Sequence, residues 1–175
     1  TAIKTAVAAL QGGGGTPTQP TTDADAKRAA VVKWMTSRNK KFAYSQGPGR
    51  LDPDRSGLGD CSSTVRRAYK DVMGIEIGVN TVLQQTRKGG PGREVWRSPR
   101  AYAAVPDGIL KPGDLIFFKS PWSDSRVRHV EMYTGNGKCW GHGGGAGGKK
   151  PGPQESSLSY WVGAKAQLII MRYIF

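Results

Sequence analysis

Cysteine and histidine are scarce in this chain of 175 residues, with two of each: Cys61, Cys139, His129 and His142. Two cysteines do not make a disulfide framework, and no CxxC pair is present. A structural zinc would need all four residues at once, and their spacing is not that of a zinc finger. No metal or other cofactor is therefore expected. Two free thiols point to folding in a reducing cytoplasm and leave open that one of them is a nucleophile. No run of 18 apolar residues exists, so no transmembrane helix is expected. The opening TAIKTAVAAL is too short and too weakly apolar for a signal peptide. Acidic residues are also few, 13 against 26 Lys and Arg, which leaves a net charge of +13. Such a balance favours an anionic partner, whether nucleic acid, a membrane face or an acidic cell wall. No DNA- or RNA-binding motif accompanies it, so no specific nucleic acid is expected.

What is abundant is glycine, with 25 residues beside 11 prolines. Together they mark a loop-rich chain, while five Trp and six Tyr argue against wholesale disorder. Residues 1–22 read as a flexible tail or linker, from Ala-rich TAIKTAVAAL into GGGG and TPTQPTT. Residues 23–175 read as one domain. A helix is predicted from Thr22 or Asp23, with Ala26, Ala29, Ala30, Val32 and Met35 at helical spacing. The stretch FAYSQGPGRLDPDRSGLG is predicted as a long functional loop. DCSSTVRRAYKDVMG is a second helix with Cys61 in its first turn and Gly74 just past its end. IEI is expected as a short strand, TVLQQT as a helical piece and residues 87–108 as loop. LKPGDLIFF, RHVEMYT and KCWGH read as strands, with Asn136-Gly137 as a hairpin turn. AQLIIMRYIF reads as a central strand.

One arrangement of these residues carries chemistry. A cysteine at a helix N-terminus has its thiolate stabilised by the helix dipole and the free N–H groups there. A neighbouring imidazole supplies the base, and a third polar group fixes its tautomer. A turn centred on Asn136 and Gly137 places His129 opposite residue 144, two positions from His142 and on one face with it. The spacing thus allows a Cys61–His129–His142 triad. The bland alternative is an inert buried cysteine beside ordinary strand histidines. Cys139 alternates away from His142 and is read as structural.

GDCSSTVRRAYKDVMGIEIG, LKPGDLIFF and RHVEMYTGNGKCWGHGG, in that order, resemble the NlpC-type family of cell-wall cysteine peptidases. The resemblance spans residues 27–175. It implies an α+β, papain-like fold in which a helix-borne Cys packs on a small antiparallel sheet. It also implies a peptidoglycan hydrolase without a cofactor, a thiol endopeptidase cutting the γ-D-glutamyl–diamino acid bond of stem peptides. Cys61 matches the nucleophile, His129 the general base and His142 the third, orienting residue. Tyr44 matches a tyrosine at the active-site rim that helps the oxyanion or substrate. Asp60 and Ser62 match substrate contacts beside the nucleophile, and Thr81 is a further substrate-contact candidate. FAYSQGPGRLDPDRSG resembles the phage and actinobacterial branch. That implies an endolysin or tail-associated lysin, made in a host cytoplasm, acting at the bacterial wall and tethered through residues 1–22 to a larger phage protein or assembly. The chain departs from the family at Ser63, where DCSG is usual, and in VNTVLQQ, which lacks an expected Arg. A CHAP-like N-acetylmuramoyl-L-alanine amidase and a non-catalytic basic wall-binding module are the alternatives.

Overall fold

A computed structural model describes residues 22–86, 91–100, 103–119, 127–143, 150–163 and 166–175. The predicted tail lies outside them, save Thr22. Helix α1 spans Asp23–Thr36. Thr22 caps it, its hydroxyl accepting from the Asp25 N–H at 3.1 Å. Its core face is not the predicted alanine stripe but Arg28, Val31, Trp34 and Met35, with Ala26 and Ala29 exposed. The reason is Arg28, which turns inward to donate to the carbonyls of Pro112 and Ile174. A charged residue thereby belongs to the buried stripe.

The predicted long loop is built rather than loose. Strands β1 (Ala43–Tyr44) and β2 (Leu58–Gly59) pair in parallel. A 3-10 turn at Pro48–Leu51 and a one-turn helix α2 (Pro53–Ser56) lie between them. Arg38 and Lys41, just past the end of α1, both bind Asp54 in α2. Helix α3 (Cys61–Met73) starts in a reciprocal capping box, with the Asp60 side chain accepting from Ser63 N and the Ser63 hydroxyl accepting from Asp60 N. It ends at Gly74 in a left-handed conformation, φ 69°. Residues 75–77 are not the expected strand. Glu76 there binds Arg66 and the Gly78 N–H, which ties the segment to α3 rather than to a sheet. Helix α4 (Thr81–Gln85) follows, capped by Asn80.

The main sheet has six strands in the order β3-β8-β4-β5-β6-β7. They are β3 (Arg93–Arg97), β4 (Leu115–Lys119), β5 (Val127–Gly135), β6 (Lys138–Gly141), β7 (Gln154–Ser157) and β8 (Gln167–Arg172), and every pairing is antiparallel. Strand β3 corrects the reading of residues 87–108 as loop. It is an edge strand, rich in charge as edges tend to be. Helix α5 (Leu158–Gly163) follows β7.

Alternating sheet residues serve two cores. Leu115, Phe117, Val130, Met132, Ile169 and Met171 pack with Val65, Ala68 and Tyr69 of α3 and Val31, Trp34 and Met35 of α1. Ile116, Phe118, Cys139 and Leu168 form the other cluster, against Tyr133 and Trp161. Each large side chain so buried stabilises the fold by about 1.5–3 kcal/mol. A buried charge cluster ties the termini of the domain. Asp114 is inaccessible to solvent and binds Arg172 at 2.7 Å and Arg28 at 3.5 Å.

Candidate active site

The capping box that starts α3 fixes where Cys61 stands. Asp60 and Ser63 lock the first turn, so the thiol sits at the positive end of the helix dipole. Strand β5 packs against α3 and delivers His129. Among the described residues the imidazole has two polar partners. Cys61 is one, within hydrogen-bonding reach. Glu131 is the other, with Oε1 3.1 Å from His129 Nε2. Burial alone would push this imidazole down. The hydrogen bonds and negative charges of Cys61 and Glu131 outweigh burial and raise it to about 10. The ring packs at a tilt against a stacked aromatic pair, with Phe118 at 5.8 Å and Trp161 at 4.9 Å between centroids.

Glu131 is itself fixed on its far side. It is 3% exposed. Its Oε2 accepts from Trp161 Nε1 at 2.9 Å and from the Ser156 hydroxyl. Across the hairpin, a Cβ on Gly141 would lie 2.5 Å from the Glu131 Cγ. The glycine is what leaves room for the carboxylate.

His142 is placed differently from expectation. The β5–β6 register pairs Met132 with Trp140 and Tyr133 with Cys139, with an irregularity between Tyr133 and Gly135. Continued, that register sets His142 opposite Val130, one position away from the predicted pairing. A slip of one residue moves a side chain to the other face of the sheet. His142 is fully buried, and among the described residues neither ring nitrogen has a hydrogen-bond partner of standard geometry. Its ring packs edge-on to Tyr44 at 5.7 Å, under Gly59 and Gly152. Burial pulls it down to about 4, against weaker opposing effects of Asp60 and the Lys150 backbone. Cys139 is fully buried in the second core, consistent with a structural residue.

Tyr44 stands at the site. Its hydroxyl accepts from Gln46 at 2.9 Å, and burial followed by the negative charge of a Cys61 thiolate raises its pKa. Asp60 and Ser62 are buried and bonded to each other, and Arg50 Nη1 donates to both, at 3.3 and 3.2 Å. Thr81 points its hydroxyl at the Val127 carbonyl, 3.1 Å away, and so ties α4 to β5. The structure thus groups Cys61, His129 and Tyr44, lays Asp60 and Ser62 directly behind the nucleophile, and gives Thr81 a bond within the fold. Sequence reading missed Glu131 and Arg50. Glu131 carried a signal, since alternation alone puts it on the face of His129. Arg50 carried none. Among the described residues no group of three or more His, Cys, Asp or Glu side chains could hold a metal. No described helix is long and apolar enough to cross a membrane.

The sequence pattern of the NlpC/P60 family matches residues 42–161. No curated protein matches the chain. Among solved structures, NlpC1 of Trichomonas vaginalis is similar at 18% identity and TM-score 0.58, over 90% of this chain and 46% of that one. The peptidoglycan hydrolase RipB of Mycobacterium tuberculosis is similar at 24% identity and TM-score 0.56, over 92% and 73%. The P60 domain of an antigen of Mycobacterium avium subspecies paratuberculosis is similar at 23% identity and TM-score 0.55, over 88% and 99%. The chain therefore corresponds to nearly all of that isolated domain and to about half of the Trichomonas protein. These likenesses agree on the fold, helices packed on a small antiparallel sheet.

Proposed function

The chain belongs to the NlpC/P60 family, and from that premise we propose that it is a peptidoglycan hydrolase, a thiol endopeptidase of stem peptides. The observation that carries this reading is His129, held between a helix-terminal thiol and a buried carboxylate. That is the arrangement nucleophilic thiol chemistry requires. The Cys61 thiolate attacks the peptide carbonyl carbon, forming a C–S bond. First-turn N–H groups of α3, with Tyr44 beside them, hold the developing oxyanion. His129, as imidazolium, gives its proton to the amine nitrogen as the C–N bond breaks. Water then adds to the thioester and passes a proton to His129, releasing the acid and restoring the thiolate. The bond at issue is the γ-D-glutamyl–diamino acid link. A net charge of +13 favours approach to an anionic wall. Delivery as a phage lysin, suggested by residues 42–57, is the finer part of the proposal.

The test is loss of turbidity of purified peptidoglycan suspensions. Wild type is expected to clear them, and Cys61→Ala to have no activity. His129→Ala is expected to be slower by about 10²–10⁴-fold. Clearing by folded Cys61→Ala at the wild-type rate would exclude thiol catalysis.

A further inference from the structure

The strand opposite His129 does not supply the group that orients it. On the face that His129 shares with Glu131, β6 contributes Gly141, which has no side chain, and Cys139, which sits in the second core. His142 belongs to the other face and forms no hydrogen bond of standard geometry with the described residues. The only carboxylate described at His129 Nε2 is that of Glu131, two residues along the same strand. A side chain at that spacing lies beside its neighbour on one face of the pleat.

We propose that Glu131 is the positioning residue of His129, holding its tautomer and its charged form from the same strand, in the role expected of His142. The inference rests on the reading of His129 as the base. Three features of the molecule are arranged around this carboxylate. Trp161 Nε1 and the Ser156 hydroxyl fix Oε2 and leave Oε1 for the imidazole. Gly141 vacates the space that Glu131 occupies. Phe118 and Trp161 keep the imidazole from rotating out of line. With Nε2 directed at Glu131, Nδ1 is the nitrogen left for the thiol. A carboxylate here does two things a neutral partner would not. It selects the Nε2–H tautomer, and it favours the imidazolium that must donate to the leaving amine.

The test reads His129 directly and does not depend on substrate. The rate of iodoacetamide alkylation at Cys61 is followed against pH alongside nitrogen-15 NMR titration of the imidazole, in wild type, Glu131→Gln, Glu131→Asp and His142→Asn. Glu131→Gln keeps the shape and removes the charge. It is expected to move the alkaline titration of His129 down by at least about one unit. It should also lower kcat on stem peptides by about 10²-fold with little change in KM. Glu131→Asp should recover part of both effects, and His142→Asn should leave the His129 titration in place. In wild type, the NMR signals should show the Nε2–H form when the ring is neutral. An unmoved titration in folded Glu131→Gln, or a titration that moves in His142→Asn instead, overturns the proposal. Alkylation and NMR remain readable even if no peptide is cut. A failure of the hydrolase reading is therefore distinguishable from a failure of this one.

Discussion

Acidification should destabilise this protein through His142 as pH falls from about 6.5 towards 4. The imidazole is fully buried and held down to about 4, against an ordinary value of 6.5. Between those values the unfolded chain binds a proton that the folded one refuses. Stability from this group is therefore complete above pH 6.5 and is lost as pH falls towards 4. The loss is about 2 kcal/mol at pH 5 and about 3 kcal/mol at pH 4. His129 acts in the opposite direction. Raised to about 10, it contributes stability that is full below pH 6.5 and declines as pH rises through 10. Passing from pH 7 to pH 5 therefore regains about 1 kcal/mol from His129. Asp54 and Glu76, lowered chiefly by Arg38 and Arg66, lose their contributions below about pH 4–5 and stay nearly silent in this interval. Comparison with His142→Asn removes every shared contribution. The assay is urea unfolding of both proteins at pH 7 and pH 5. The variant is less stable at both, because the smaller side chain leaves part of that buried space unfilled. The gap between the two proteins should narrow by about 2 kcal/mol at pH 5, or about 4–8 °C in Tm. A gap that stays constant across that interval would refute a neutral, buried His142.

Gly141→Ala should displace Glu131, since the new methyl would stand 2.5 Å from its Cγ. A destabilisation of about 1–3 kcal/mol, with a drop in kcat, is expected from thermal melts and peptide hydrolysis. Asp114→Asn breaks a fully buried pairing with Arg172 and Arg28 and should cost about 3–5 kcal/mol in urea unfolding, with no effect on the Cys61 alkylation profile of the molecules that remain folded. Sedimentation with cell walls should weaken steadily as salt rises from 0.05 to about 0.5 M, because exposed charges are screened over shorter distances. Binding insensitive to salt would mean that the net charge of +13 plays no part in it.

The elements most legible in the sequence were those with local punctuation. Asp60 and Gly74 bracket α3 because a cap and a left-handed glycine act through their own backbone. The hairpin at Asn136 and Gly137 was equally plain, since both take positive φ, 51° and 70°. What failed depended on distant partners. Residues 93–97 look like a charged loop until β8 arrives to pair with them. Arg28 looks like a solvent residue until the carbonyls of Pro112 and Ile174 claim it. The irregularity between Tyr133 and Gly135 is the most consequential case, for it turns His142 to the far face of the sheet. The positions of Cys61 and His129 do not depend on that register, because one stands at a helix cap and the other pairs with Phe118 of β4. Glu131 was visible in the alternation of RHVEMY, but only the space above Gly141 and the bond from Trp161 make its position meaningful.

The most direct test of the hydrolase account is mass spectrometry of the soluble fragments released from purified peptidoglycan by wild type and by Cys61→Ala. Stem fragments that end in D-glutamate, with matching new amines on the diamino acid and none from the variant, are the predicted result. Intact stem peptides freed from the sugar would instead make the enzyme an amidase. No fragments from several wall types, with the protein still folded, would contradict a catalytic role for Cys61 and His129 altogether.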